Sequence, residues 1–78
     1  MGYSFSHYGS IQGNYKKELK TSSAAACVAE CNNDQYCLAI GIDGKDFTCT
    51  KYEGLGSKIV EKNGGVKVYV RCFSSKYF

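Results

Sequence analysis

The sequence predicts an α+β domain in which one helix packs on antiparallel strands and disulfides staple the two together. Three observations predict it. A capped stretch carries apolar residues at helical spacing, several short alternating runs are split by turn residues, and five cysteines fall within 78 residues. A chain this short buries roughly 60–65% of the surface its unfolded form exposes, and its core alone supplies only ~3–5 kcal/mol. Covalent staples are the expected remedy. With 44% hydrophobic and 22% charged residues the balance is that of a folded globular domain. One domain spanning 1–78 is expected, with its core over about 3–72 and a loose tail at 73–78.

From the N-terminus, Tyr3, Phe5 and His7 alternate with serines, which reads as a short strand, and Ile11 continues it after a bend at Gly9. Lys16, Lys17 and Lys20 cluster beside Glu18; a solvated loop or turn is expected, with a sulfated-glycan contact as the functional reading. The clearest element follows. Thr21, Ser22 or Ser23 can cap a helix by accepting backbone N–H bonds. Ala24, Cys27, Val28 and Cys31 then share one helical face, Ala25, Ala26 and Ala29 favour helix, and Asn32, Asn33 and Asp34 end it, so a helix is expected over roughly 22–33.

Cys37-Leu38-Ala39-Ile40-Gly41-Ile42 is too short for a second helix and suits a buried strand. Leu38, Ile40 and Ile42 are expected on one face and the small Cys37, Ala39 and Gly41 on the other, leaving room for the alanine-rich helix. A turn at Asp43-Gly44-Lys45-Asp46 leads into the returning strand Phe47 to Tyr52, broken at Gly54 and Gly56. A second hairpin is expected from Lys58–Lys62 through Asn63-Gly64-Gly65 to Val66–Cys72, with Val66, Val68, Val70 and Cys72 on its buried face.

The cysteines narrow the pairing. Cys27 and Cys31 run parallel along one helical face, so a regular helix does not bridge them. Excluding that pair leaves twelve of the fifteen two-bridge pairings that five cysteines allow. Cys31, near the helix end, meets Cys37 through a short reversal, and Cys27, one turn back, reaches the neighbouring strand at Cys49. The expected bridges are therefore Cys31–Cys37 and Cys27–Cys49, one nested inside the other, each contributing ~2–4 kcal/mol.

This nested arrangement, carried by Ser22-Ser23-Ala24-Ala25-Ala26-Cys27-Val28-Ala29-Glu30-Cys31, by Cys37 to Ile42 and by Phe47-Thr48-Cys49-Thr50-Lys51-Tyr52, resembles the PAN/apple domain family over about residues 20–72. The resemblance implies a helix cradled by a curved antiparallel sheet and held by those two bridges. In the apple subtype a third bridge joins an N-terminal cysteine to one in the last strand. Cys72 matches the latter, but Met1, Gly2 and Tyr3 stand where its partner would fall. Three readings of Cys72 compete: a buried unpaired thiol, a partner preceding residue 1, or a bond between chains.

Several function classes recede. No apolar run approaches the ~18 residues a membrane span needs. The net charge of +3 favours acidic partners, yet Lys16, Lys17, Lys20, Lys58, Lys62 and Lys67 are spread too widely for a nucleic-acid stripe. Cys37 and Cys49 do not form the second close pair of a zinc site, and His7 has no second histidine beside it, so no metal or other cofactor is expected. Nor is an enzyme: the bridges consume the best nucleophiles, and Gly54-Leu55-Gly56 lacks the lysine-serine signature of a phosphate loop.

Cysteine content implies an oxidising, secretory or extracellular setting, with a leader already removed or the unit cut from a longer secreted chain. The resemblance implies an adhesion module, largely monomeric in isolation, that recognises a protein receptor within a secreted adhesin or invasion protein. The alternative is a lectin-like apple domain on a cell-surface glycan, and a third reading is a free-standing secreted inhibitor. Candidate ligand-binding residues are Asp43, Lys45 and Asp46 at the turn and Lys51, Tyr52, Tyr69 and Arg71 on the strands. Their plainer reading is that the tyrosines cover the sheet and the aspartates shape the turn.

Overall fold

The structure, a computed structural model, describes residues 2–12, 15–53 and 58–72. The expected breaks at Gly54 and Gly56 and the tail at 73–78 lie outside the described residues. Among the described residues, six strands and one helix follow in the order β1 (Tyr3–Gln12), β2 (Tyr15–Lys20), α1 (Ala24–Asn32), β3 (Cys37–Asp43), β4 (Thr48–Glu53), β5 (Lys58–Glu61) and β6 (Val66–Arg71). All pairings are antiparallel, and the strands lie in the order β2-β4-β3-β6-β1-β5. The chain is thus an α+β, disulfide-rich fold with one helix on a six-stranded antiparallel sheet.

The helix starts where Ser23 caps it: its Oγ accepts the Ala26 N–H at 3.1 Å. Ser22 and Ser23 therefore precede the helix, which is shorter at both ends than 22–33. Cys27 and Cys31 are wholly buried and Val28 half-buried, whereas Ala24 faces out. Disulfides join Cys27 to Cys49 and Cys31 to Cys37, the pairs that helix geometry favours. Cys72 is unpaired and half-buried, with its Sγ 3.1 Å from Ser4 Oγ.

Three expectations are corrected. Lys16 to Lys20 form not a loop but edge strand β2, paired with β4 from Tyr15 opposite Glu53 to Lys20 opposite Thr48. Only Leu19 on it is half-buried, so it lacks the apolar alternation that marks a strand in sequence. Its lysines suit an edge that must not recruit another chain. The second correction concerns β5 and β6, which are not a hairpin. β1 lies between them, pairing with β6 over Tyr3–Tyr8 and with β5 over Gly9–Gln12.

The third concerns which face of β3 receives the helix. Ile40 and Ile42 pack with Cys27, Cys31, Cys37 and Cys49, with Leu19, Val28, Tyr3 and Tyr69 around them. Ala39 lies on the opposite face with Ile11, Tyr52, Val68 and Val70. The small residues therefore accommodate Tyr52 rather than the helix; a Cβ on Gly41 would sit 3.6 Å from the Tyr52 ring. A register shift between Cys37 and Ala39 brings Cys37 to the helix side despite its parity.

Gly9 is where β1 passes from one partner to the other. Its φ is +132°, and Lys62 N donates to Tyr8 O at 2.9 Å beside it. His7 is buried just before this point. Its Nε2 donates to Ser10 O at 2.8 Å, which fixes the tautomer, and Nδ1 meets Ser6 Oγ at 2.8 Å. The side chain weighed for a metal site thus holds the bend of its own strand.

Candidate functional site

The seven residues singled out from sequence separate into three places. At the β3–β4 turn the aspartates bind backbone: Asp43 Oδ1 accepts from Lys45 N at 2.8 Å, and Asp46 Oδ1 accepts from Thr48 N at 3.0 Å. Phe47 completes the turn in the left-handed region at φ 57°, with its N–H on Asp43 O. Asp46 also pairs with the exposed Lys20 at 3.4 Å. These contacts commit both carboxylates and leave the Lys45 side chain facing out.

On the helix side, Lys51 and Arg71 converge on the loop that leaves α1. Lys51 Nζ lies 3.3 Å from Asp34 Oδ2, in a pair largely shielded from water. Arg71 Nη1 reaches the carbonyls of Cys31, Asp34 and Cys37 at 3.2–3.3 Å. A cation at a helix C-terminus meets carbonyls without intrahelical partners and the negative end of the dipole. Tyr3 adds to the clamp by donating its OH to Asn32 Oδ1 at 2.7 Å, while burial raises its phenol pKa despite the nearby Arg71. Arg71 therefore anchors the 31–37 loop.

Tyr52, although adjacent to Lys51, points to the opposite face and is 2% exposed. Burial raises its pKa, with the Ile11 backbone hydrogen-bonded to it and the Glu18 charge nearby. Its ring is core and offers no platform to a ligand. Tyr69 is half-buried against the helix-side cluster, but one edge of it continues into an exposed aromatic group.

That group joins Tyr69, a candidate from sequence, to Phe5 and Tyr8, which the sequence marks only as strand residues. The Phe5 ring centre lies 5.3 Å from Tyr8 and 5.7 Å from Tyr69, both edge-to-face. Phe5 is 50% and Tyr8 44% exposed. Alternation of aromatics with serine at the N-terminus was the available signal. What it lacked was the register setting Phe5 opposite Tyr69 and Tyr8 opposite Lys67.

Two surface openings flank these features. One, of about 550 Å³, lies at the helix C-terminus among Glu30, Asn33, Asp34, Gln35, Tyr36 and Lys51. The Asp34 carboxyl here is held below its ordinary value, first by the Tyr36 N–H and then by Lys51. A depressed pKa stabilises the fold above the unfolded value near 3.8, and that contribution is lost as pH falls through the folded value. Urea midpoints of wild type and Asp34→Asn should therefore differ near neutrality and converge in acid. A gap that persists at low pH would refute this role.

The second opening, of about 350 Å³, runs beside Phe5 and Tyr8 to Lys62 and Asn63. No family model matches this chain, and neither curated proteins nor solved structures give a match.

Proposed function

We propose that this chain is an extracellular binding and adhesion module of PAN/apple type that recognises a protein receptor as part of a larger secreted adhesin or invasion protein. One observation carries the reading: the exposed Phe5–Tyr8–Tyr69 group, braced edge-to-face on a disulfide-stapled sheet. Aromatic side chains dominate the energetics of protein interfaces because they bury much apolar area at small entropic cost. Here the rings are already ordered by one another, so binding would lose little further freedom. Two bridges in a small chain suit an oxidising compartment, and among the described residues no helix is long and apolar enough to cross a membrane.

The test is capture of cell-surface proteins by the immobilised domain and by Phe5→Ser, which alters an outward side chain. Capture of one defined receptor that is lost in Phe5→Ser, with both disulfides intact, is the expected result. Equal capture by the variant would overturn the assignment.

A carbohydrate-binding reading is favoured by a different observation, the polar opening at the helix C-terminus. Glu30, Asn33 and Gln35 supply hydrogen-bonding groups there, and Tyr36, 65% exposed, supplies a ring face. A glycan array bound by wild type and silent with Tyr36→Ala would move the function to that site.

A further inference from the structure

We propose that the groove beside Tyr8, floored by Gly64 and Gly65, takes an extended acidic segment of the partner protein, its carboxylates held by Lys45 and Lys62. This rests on the reading of the chain as a protein-binding module and names the partner's chemistry.

The tips of the two turns meet here, with Gly44 N donating to Gly65 O at 3.0 Å. That contact sets Lys45, from the β3–β4 turn, next to the 63–65 turn. The result is a third opening, of about 340 Å³, lined by Tyr8, Lys45, Asn63, Gly64 and Gly65. It adjoins the 350 Å³ opening that contains Lys62, and the two share Tyr8 and Asn63. One aromatic ring thus stands between two depressions, with a lysine lining each.

Three features point to an acidic peptide. Charge comes first. Neither Lys45 nor Lys62 belongs to the ion pairs found among the described residues, Lys20–Asp46 and Lys51–Asp34. Lys67, opposite Tyr8 in the strand register, adds a third positive charge; the acids beside them are Glu61 and Asp43, the latter with its Oδ1 on the Lys45 backbone N–H. Second is the floor. A Cβ added at Gly64 or Gly65 would meet nothing within 4 Å, so a backbone can approach the turn closely. Third is spacing. An extended segment places alternate side chains roughly 6.6 Å apart on one side, enough to straddle a ring and present a carboxylate to each flank. The stretch of backbone between those two residues would then pass over the Tyr8 ring.

Fluorescence anisotropy with the intact domain tests this, using a fluorescein-labelled peptide of alternating glutamate and glycine, its glutamine counterpart, and a labelled heparin oligosaccharide. The glutamate peptide should bind, with the glutamine peptide and the Lys45→Glu/Lys62→Glu variant each about tenfold weaker. Gly64→Val, which fills the floor without changing charge, should weaken binding similarly, whereas Lys20→Glu should leave it unchanged. Equal binding of the two peptides, indifference to the lysine reversal, or lysine-dependent binding of heparin without binding of the glutamate peptide would each overturn the proposal. Receptor capture that depends on Phe5 but ignores the lysine reversal would remove the acidic segment and leave the module reading standing.

Discussion

Gly9→Ala is expected to lower stability by on the order of 4 kcal/mol, a large share of what a domain of this size possesses. Two independent causes act at this position. At φ +132° the backbone is in a region that L side chains rarely adopt. A Cβ there would also stand 2.0 Å from Val60 O and 2.9 Å from Lys62 N. Neither atom belongs to a flexible side chain, so β1 and β5 must separate. Separation would withdraw Ile11 from the cluster it forms with Ala39, Tyr52 and Val68. Chemical denaturation is the direct measurement, with Ser10→Ala as a neighbour that keeps the backbone unstrained. A Gly9→Ala midpoint close to that of Ser10→Ala would show that the crossing is not as tight as described.

The second large effect concerns the bridges, whose contributions should be unequal. Cys27–Cys49 spans 22 residues and Cys31–Cys37 spans 6. Loop-closure entropy then predicts losses of about 3 kcal/mol for Cys27→Ala/Cys49→Ala and about 2 kcal/mol for Cys31→Ala/Cys37→Ala. All four cysteines are wholly buried beside Ile40 and Ile42, so deleting either pair also removes core packing. The shorter loop has additional holds in Arg71, the Tyr3–Asn32 hydrogen bond and the Lys51–Asp34 pair. Denaturation of the two double variants should rank them in that order, and the reverse order would mean that unfolded-chain entropy is not the governing term.

The parts of this fold legible in the sequence are those determined by near neighbours. A serine cap, cysteines four apart and a short reversal to Cys37 define α1 and both bridges within 30 residues of chain. The β3–β4 hairpin follows from its turn and β-forming residues. Long-range pairing was not legible. Asn63-Gly64-Gly65 has the composition of a hairpin turn, and nothing local in it reports that β1 will lie between the strands it joins. In β3 both faces are buried, so apolar residues carry no alternation to orient the strand, and the register shift after Cys37 moves its parity again.

The candidate site divides along the same line. Asp43 and Asp46 could be read as turn-shapers from spacing alone, since each binds a backbone N–H two residues on. Arg71 and Tyr52 could not be placed. The helix end that engages Arg71 lies more than 30 residues away, and the face that buries Tyr52 depends on the whole sheet. Phe5, Tyr8 and Tyr69 become a surface only when the first strand meets the last.

That meeting has a consequence for how the molecule is made. β1 is synthesised first, yet both its partners, β5 and β6, come from residues 58–71. Until those strands emerge, Phe5, Tyr8 and Ile11 have no sheet to join, while β2, α1, β3 and β4 can already assemble around the nested bridges. Folding should therefore proceed from the middle outward, with oxidation of Cys27 and Cys49 preceding the docking of the N-terminal strand. Non-local pairing of this kind is slow because chain closure is paid for before the contacts that reward it. The N-terminal aromatic segment is then the part of the nascent chain most in need of protection from aggregation.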